Sequence, residues 1–228
     1  MNRRVAILGA TGLVGQTTLR VLEQRDFPTE APRLLASDGN RRALHFRGRE
    51  LPVEAVGPQS FDGIEIALFA VANPISEQWA GPAQAAGARV VDNSSAFRYH
   101  DGVPLVVPEV NGALLEHHPT LVANPNCSTI AIVMALAPLA RVARLERVVV
   151  STYQSVSGGG AEALAELESG VREPARHSSS AICTAFKAAP FLRLSEAMKN
   201  SRALGCERSR RARPTSTSSR PSAASGVG

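Results

Sequence analysis

The residues predict an α/β fold, a doubly wound parallel sheet with helices on both faces. Two features carry that expectation. Short apolar runs alternate with helical patterns across residues 1–174, and a glycine-bearing turn joins the first run to the first helix. Strands covered on both faces read as unbroken apolar runs, because neither face meets water. The first run spans residues 4–8, and a helix follows over about 14–24 with apolar Val14, Leu19, Val21 and Leu22. Further runs stand at 34–36, 64–72, 89–91, 105–107 and 120–123, with a small-residue helix around 76–86. After Cys127 an Ala/Ile/Leu helix is predicted to about residue 143, then a strand over 147–152. Gly158-Gly159-Gly160 opens a last helix through Leu164 and Leu167. The chain carries no internal repeat.

Composition sets the outer limits. With 44% hydrophobic and 20% charged residues in 228, the chain suits a globular protein of one large or two small domains. No apolar run approaches the roughly 18–20 residues of a membrane span. The nearest, residues 130–139, holds Pro138 and suits a buried helix. Glycines at 9, 12 and 15 interrupt the apolar start that would otherwise imitate a secretory signal, so a cytoplasmic protein is expected. Cys127, Cys183 and Cys206 are too few and scattered for a disulfide framework, and none stands in a Cys-x-x-Cys pair that would suggest a metal.

Charge is distributed unevenly. Residues 1–174 carry 15 Lys and Arg against 18 Asp and Glu, whereas residues 175–228 carry 10 against 2. From 175 the alternating pattern also stops, and Ser, Arg and Ala runs leave too little apolar surface to offset chain entropy. A disordered basic tail is expected, with one short amphipathic helix over 186–198. Its Arg208, Arg210, Arg211 and Arg213 read as a solvated charge run and not a nucleic-acid arm, because no aromatic residue is interleaved for base stacking.

Gly9-Ala10-Thr11-Gly12-Leu13-Val14-Gly15 lies between a predicted strand and a predicted helix, where a dinucleotide-binding turn belongs. Its spacing is G-x-x-G-x-x-G. Glycines let the backbone approach a pyrophosphate, and the first N–H groups of the helix face its charge. Gly9, Thr11, Gly12, Leu13, Val14 and Gly15 are therefore candidate cofactor contacts. The end of the second strand, Ser37-Asp38-Gly39-Asn40-Arg41-Arg42, mixes signals. Asp38 suits the ribose hydroxyls of NAD, and Arg41 or Arg42 suits the 2′-phosphate of NADP.

Asn124-Pro125-Asn126-Cys127-Ser128-Thr129 places a thiol where an extended segment turns into a helix. There the dipole favours thiolate, and Asn126 or neighbouring N–H groups can stabilise an oxyanion. A nucleophilic Cys beside a nicotinamide is the apparatus for oxidising an aldehyde through a thioester. Gln154, in Tyr153-Gln154-Ser155-Val156-Ser157, suits a tetrahedral intermediate. Arg98, closing Ser94-Ser95-Ala96-Phe97-Arg98, suits an anionic substrate held bidentately. The Tyr-x-x-x-Lys pair of short-chain reductases is absent: Val103 lies four residues after Tyr99, and Ser157 four after Tyr153.

These residues resemble the aspartate-semialdehyde dehydrogenase family. The matching motifs are the turn at 9–15, Asp92-Asn93-Ser94-Ser95-Ala96-Phe97-Arg98, Val107-Pro108-Glu109-Val110-Asn111, the Cys127 segment, and Thr152-Tyr153-Gln154-Ser155-Val156-Ser157-Gly158. They cover about residues 1–173. The resemblance implies a Rossmann domain over 1–125, an incomplete α+β catalytic and dimerisation domain over 126–174, and a homodimer. It further implies NADP-dependent reductive dephosphorylation of L-4-aspartyl phosphate to L-aspartate 4-semialdehyde, toward lysine, threonine and methionine. In that reading Cys127 is the nucleophile, Gln154 orients the intermediate, Arg98 and Asn126 hold substrate and phosphate, and Ser37, Arg41 and Gly158 join the cofactor contacts. Gly39 stands where the family has an arginine, which keeps NAD open. An N-acetyl-gamma-glutamyl-phosphate reductase-like enzyme and a catalytically dead nucleotide-binding remnant are the alternatives. No match to the family's general-base histidine segment is found, His177 standing outside any such motif. A frameshifted or truncated product after about residue 174 is therefore expected.

Overall fold

The structure is a computed structural model that describes residues 2–38, 43–156 and 160–172. Among the described residues seven strands form one sheet: β1 (Val5–Leu8), β2 (Arg33–Ala36), β3 (Ala43–Phe46), β4 (Arg49–Ala55), β5 (Ile66–Phe69), β6 (Arg89–Asp92) and β7 (Leu121–Ala123). Their spatial order is β3-β4-β2-β1-β5-β6-β7. Every neighbouring pair is parallel except the β3–β4 hairpin. The six parallel strands thus follow the doubly wound order, with chain direction reversing across the sheet between β1 and β5.

Alternation along each strand sorts the core into two layers. From β1, Val5 and Ile7 face the layer holding Leu19 and Leu22 of α1 (Leu13–Gln24), together with Leu34, Phe46 and Val53. Ala6 and Leu8 face the layer holding Ala80 and Ala83 of α2 (Asn73–Ala85), with Phe61, Phe69 and Val90. One helix on each face is what buries β1 completely, and all four of its residues are at most 1% exposed.

Two strands were not anticipated. β3 and β4 carry His45, Arg49, Glu50 and Glu54 among few buried positions, so they lack the unbroken apolar run that marks the central strands. Two expected strands do not form. Over 105–107 only Leu105 pairs, in a single parallel bridge with Ala123. The chain then turns into α3 (Pro108–Asn111), where buried Asn111 takes over the pairing: its Oδ1 accepts from the Val107 N–H and its Nδ2 donates to the Leu105 carbonyl. Residues 147–152 form no ladder, and Val149 and Val150 are exposed, because no neighbouring strand reaches them among the described residues.

Past β7 the chain enters α4 (Cys127–Val142), which buries Thr129 and Val133 but exposes Met134, Leu139 and Val142. α5 (Gly160–Arg172) follows, with Leu164 and Leu167 largely exposed. Among the described residues no helix is long and apolar enough to cross a membrane.

The N-terminal edge of β1 is tied down by Glu65. Its carboxylate accepts from the Arg4 backbone N–H at 2.9 Å and from Arg3 Nη1 at 3.0 Å, and these bonds hold it below the ordinary glutamate value of 4.5. A depressed carboxylate stabilises the fold above its unfolded-state pKa and loses that contribution as pH falls through its folded-state pKa. Glu65→Gln should therefore lower the melting temperature at neutral pH and converge on the parent in acid below that lowered value. Thermal melts of the two proteins across pH 3–7 check this.

Candidate active site

Parallel strands end together, so the segments leaving β1, β5, β6 and β7 gather at one edge of the sheet. The first is the glycine turn. Gly9 has φ of +85°, and a Cβ there would lie 2.3 Å from the Ala70 carbonyl oxygen. A Cβ on Gly15 would lie 2.1 Å from the Gly9 carbonyl oxygen. Both contacts are with backbone, which cannot swing aside. Glycine at 9 lets the β1 and β5 ends meet, and glycine at 15 seats α1 against the turn.

Gly12 is different. A Cβ there would meet only the Gly9 oxygen, at 3.4 Å. Gly12 is the N-cap of α1 and supplies no side-chain cap, while exposed Leu13 and Val14 leave the first turn open to solvent. Uncapped N–H groups at an open helix start, approached by a glycine backbone, fit a pyrophosphate. Thr11 contributes its carbonyl to Gln16 Nε2 at 2.7 Å, which braces the turn. Ser37 and Asp38 lie exposed just past β2, at the same edge. Arg41 and Gly158 lie outside the described residues, as do His177 and the whole tail.

The thiol is at the start of α4, four positions after β7 ends. Cys127 is exposed. Asn126 caps the helix, its Oδ1 accepting from the Ser128 N–H at 3.1 Å and from Ser128 Oγ at 2.6 Å. The cap leaves Asn126 Nδ2 to donate to Gln154 Oε1 at 3.5 Å. The Cys127 thiol donates to Gln154 Oε1 at 3.8 Å and to Asn126 Oδ1 at 3.9 Å. Two carboxamides therefore flank one accessible sulfur, although Gln154 arrives from 27 residues downstream.

Arg98 stands close by, half-buried, in the turn after β6. It donates from Nε to the Asn124 carbonyl and from Nη2 to the Asn93 carbonyl, both at 2.9 Å. Burial lowers its pKa, and the charges of Asp92, Tyr99 and Cys127 act in the opposite direction. The expected two-pronged anion grip is thus partly committed to main-chain carbonyls. Beneath it, Asp92 is fully buried, accepting from Ser76 Oγ and Ser94 Oγ at 2.6 Å each and from the Ser94 N–H at 3.2 Å. Ser76 is a partner that sequence reasoning missed, since it lies on α2, outside every motif.

The model of the semialdehyde dehydrogenase NAD-binding domain matches residues 4–118, and that of the semialdehyde dehydrogenase dimerisation domain matches residues 136–203. An aspartate-semialdehyde dehydrogenase of Bacillus subtilis is 49% identical over 166 residues, covering 72% of this chain. The chain belongs to the aspartate-semialdehyde dehydrogenase family. An Aquifex aeolicus member is likewise 49% identical, over 74% of the chain. The crystal structure of aspartate semialdehyde dehydrogenase II from Vibrio cholerae superposes with a TM-score of 0.72 at 41% identity, covering 76% of this chain and 53% of that one. The same Vibrio protein complexed with ASA gives 0.73. The chain spans about half the length of the curated relatives it matches, 48% for the Bacillus protein. The family's dimerisation-domain match runs on to residue 203, past position 173 where the motif resemblance ends.

The glycines make separable demands. Gly9→Ala and Gly15→Ala should each destabilise the fold by at least about 1–3 kcal/mol through forced backbone displacement. Gly12→Ala should melt close to the parent. Thermal denaturation of the three variants checks the ordering.

Proposed function

We propose that this chain supplies the nucleotide-binding domain, over residues 1–125, and the start of the catalytic domain, over 126–174, of an aspartate-semialdehyde dehydrogenase. Such an enzyme interconverts L-4-aspartyl phosphate and L-aspartate 4-semialdehyde through a thioester on Cys127. The observation that carries this reading is the exposed sulfur of Cys127, flanked by the carboxamides of Asn126 and Gln154 at the sheet edge where the Gly9–Gly15 turn also opens. The 49% identity to curated members supports the choice of substrate.

In the oxidative direction Cys127 adds through sulfur to the aldehyde carbon, forming a C–S bond and a tetrahedral oxyanion. Asn126 Nδ2, which donates to Gln154 Oε1 at 3.5 Å, would turn to that oxygen as one donor, and rotation of the Gln154 amide would present a second. Donors that await developing charge stabilise the transition state more than the ground state. NADP, when bound, supplies the two-electron acceptor that converts the tetrahedral adduct to a thioester, with NAD as the other candidate. The N–H groups of Leu13, Val14 and Gly15 would hold its pyrophosphate, the Gly12 N–H being taken by the Gly9 carbonyl, and Ser37 would face the adenosine ribose, with Arg41 the sequence's candidate for a 2′-phosphate. Phosphate then displaces the sulfur and regenerates the thiolate. Arg98 would meet that phosphate through Nη1, its Nε and Nη2 being occupied. The exposed apolar positions on α4, Met134, Leu139 and Val142, support a homodimer formed through the second domain.

A catalytically dead nucleotide-binding remnant is the second reading, supported by the glycine turn and the open first turn of α1, which suit a nucleotide whether or not Cys127 reacts. Purified full chain assayed with semialdehyde, phosphate and either nicotinamide separates the two: reduced cofactor appears in the first case, cofactor binding alone in the second. Where turnover is present, Cys127→Ser should abolish it while leaving NADP affinity unchanged. Gln154→Leu should lower kcat on the order of 10²-fold, the cost of losing one oxyanion donor. An N-acetyl-gamma-glutamyl-phosphate reductase specificity would show as preference for the longer, acetylated semialdehyde.

A further inference from the structure

The segment entering α4 is fastened to the end of β6 just before Cys127. Asn124, three residues upstream, fastens three of its polar groups to the segment leaving β6. Its N–H donates to the Asp92 carbonyl at 2.8 Å, its carbonyl accepts from Arg98 Nε at 2.9 Å, and its Nδ2 donates to Asn93 Oδ1 at 2.7 Å. Asn93 is fastened in turn to the end of β5, where the Phe69 carbonyl accepts both its N–H at 3.1 Å and its Nδ2 at 2.9 Å. The Asn93 carbonyl accepts from Arg98 Nη2 at 2.9 Å, so the guanidinium closes a ring through both asparagines. Between Asn124 and the helix cap stands Pro125, buried, with its φ fixed by its own ring. Pro125 thus removes one of the backbone rotations by which a displacement of Asn124 could be absorbed before Asn126 and Cys127.

We propose that Asn93 and Asn124 form a side-chain relay that positions Cys127, carrying the geometry of the β5 and β6 ends to the start of α4. The proposal rests on Cys127 being the reacting group and deepens that reading. A side-chain amide is suited to the task because it donates and accepts at once: Asn93 gives its N–H to a main-chain carbonyl and offers its oxygen to Asn124. The paired amides are half-buried, where a hydrogen bond is stronger and a lost partner costs more than in water. Loss of that side-chain link leaves Asn124 tied to β6 through its main chain alone, by its N–H on the Asp92 carbonyl and its carbonyl on Arg98 Nε. The sulfur is then free to shift relative to Asn126 and Gln154.

The test is a double-mutant cycle on the full chain with Asn93→Leu, Asn124→Leu and the double variant. Cys127 alkylation by iodoacetamide is followed by peptide mapping, which separates it from Cys183 and Cys206, and NADP affinity is measured in parallel. Each single variant should slow semialdehyde turnover on the order of ten- to hundredfold, as displacement of a reacting group does, and slow alkylation in the same order, with NADP affinity held within about twofold. The double variant should be no slower than the worse single one, because coupled residues are not additive. The alkylation rates of the three should not follow the order of their melting temperatures, as they would if loss of stability alone were at work. Should a leucine variant lose NADP binding, Asn93→Ser and Asn124→Ser are judged by the same criteria. Singles that alkylate like the parent, or effects that multiply in the double variant, overturn the relay. A parent whose Cys127 reacts no faster than the other two cysteines overturns the functional reading itself.

Discussion

A methyl group on residue 9 would sit 2.3 Å from the carbonyl oxygen of Ala70. Without that methyl the ends of β1 and β5 can close on one another, with the Ala70 N–H donating to the Leu8 carbonyl at 2.8 Å. This is the place where strand order reverses across the sheet, and every element of the site is set relative to it. Gly15 repeats the device one helical turn later and draws α1 onto the same turn. The N-terminal end of α1, its first N–H groups uncapped by any side chain, thereby opens at the turn after β1.

The other half of the site is built by polar side chains. Asp92 has no solvent to satisfy it, and three hydrogen bonds from Ser76 and Ser94 supply what water would have given. It thereby pins the end of β6 to α2 and fixes the turn carrying Asn93 and Arg98. Asn93, Asn124 and Arg98 then bind that turn to the segment entering α4. The two halves are alike in purpose and opposite in means: at β1 close approach requires that side chains be missing, while at β6 and β7 side chains take the place of ladder bonds. The sulfur stays accessible because it stands at the first turn of α4, outside both core layers.

Much of the fold was legible because central strands in this architecture have no wet face. Val5 to Leu8, Leu34 to Ala36 and Val90 to Val91 are unbroken apolar runs for that reason. The hairpin of β3 and β4 was not legible, as its strands lie at the sheet edge and carry charge. Its one local sign is Arg47-Gly48, both at positive φ, a two-residue connection that suits twisted hairpins. Residues 147–152 show the reverse error. Their valines have strand propensity, but a strand needs a neighbour, and propensity cannot supply one. The candidate nucleophile was legible from Asn126-Cys127-Ser128, since capping is a contact between near neighbours. Arg98 could be read as a cation near the site but not as a clamp, because its carbonyl acceptors are five and 26 residues away.

By itself, then, the sequence determined what depends on neighbours along the chain: strand and helix periods, the glycine turn, the helix cap beneath Cys127, and motif order sufficient to place the family. Tertiary structure alone decided the pairings across long separations: Ser76 with Asp92, Asn93 with Asn124, Gln154 with Cys127. The physical reason is that a hydrogen bond is selected by distance and direction in space. Those are properties of the closed sheet, and the spacing of residues along the chain does not contain them.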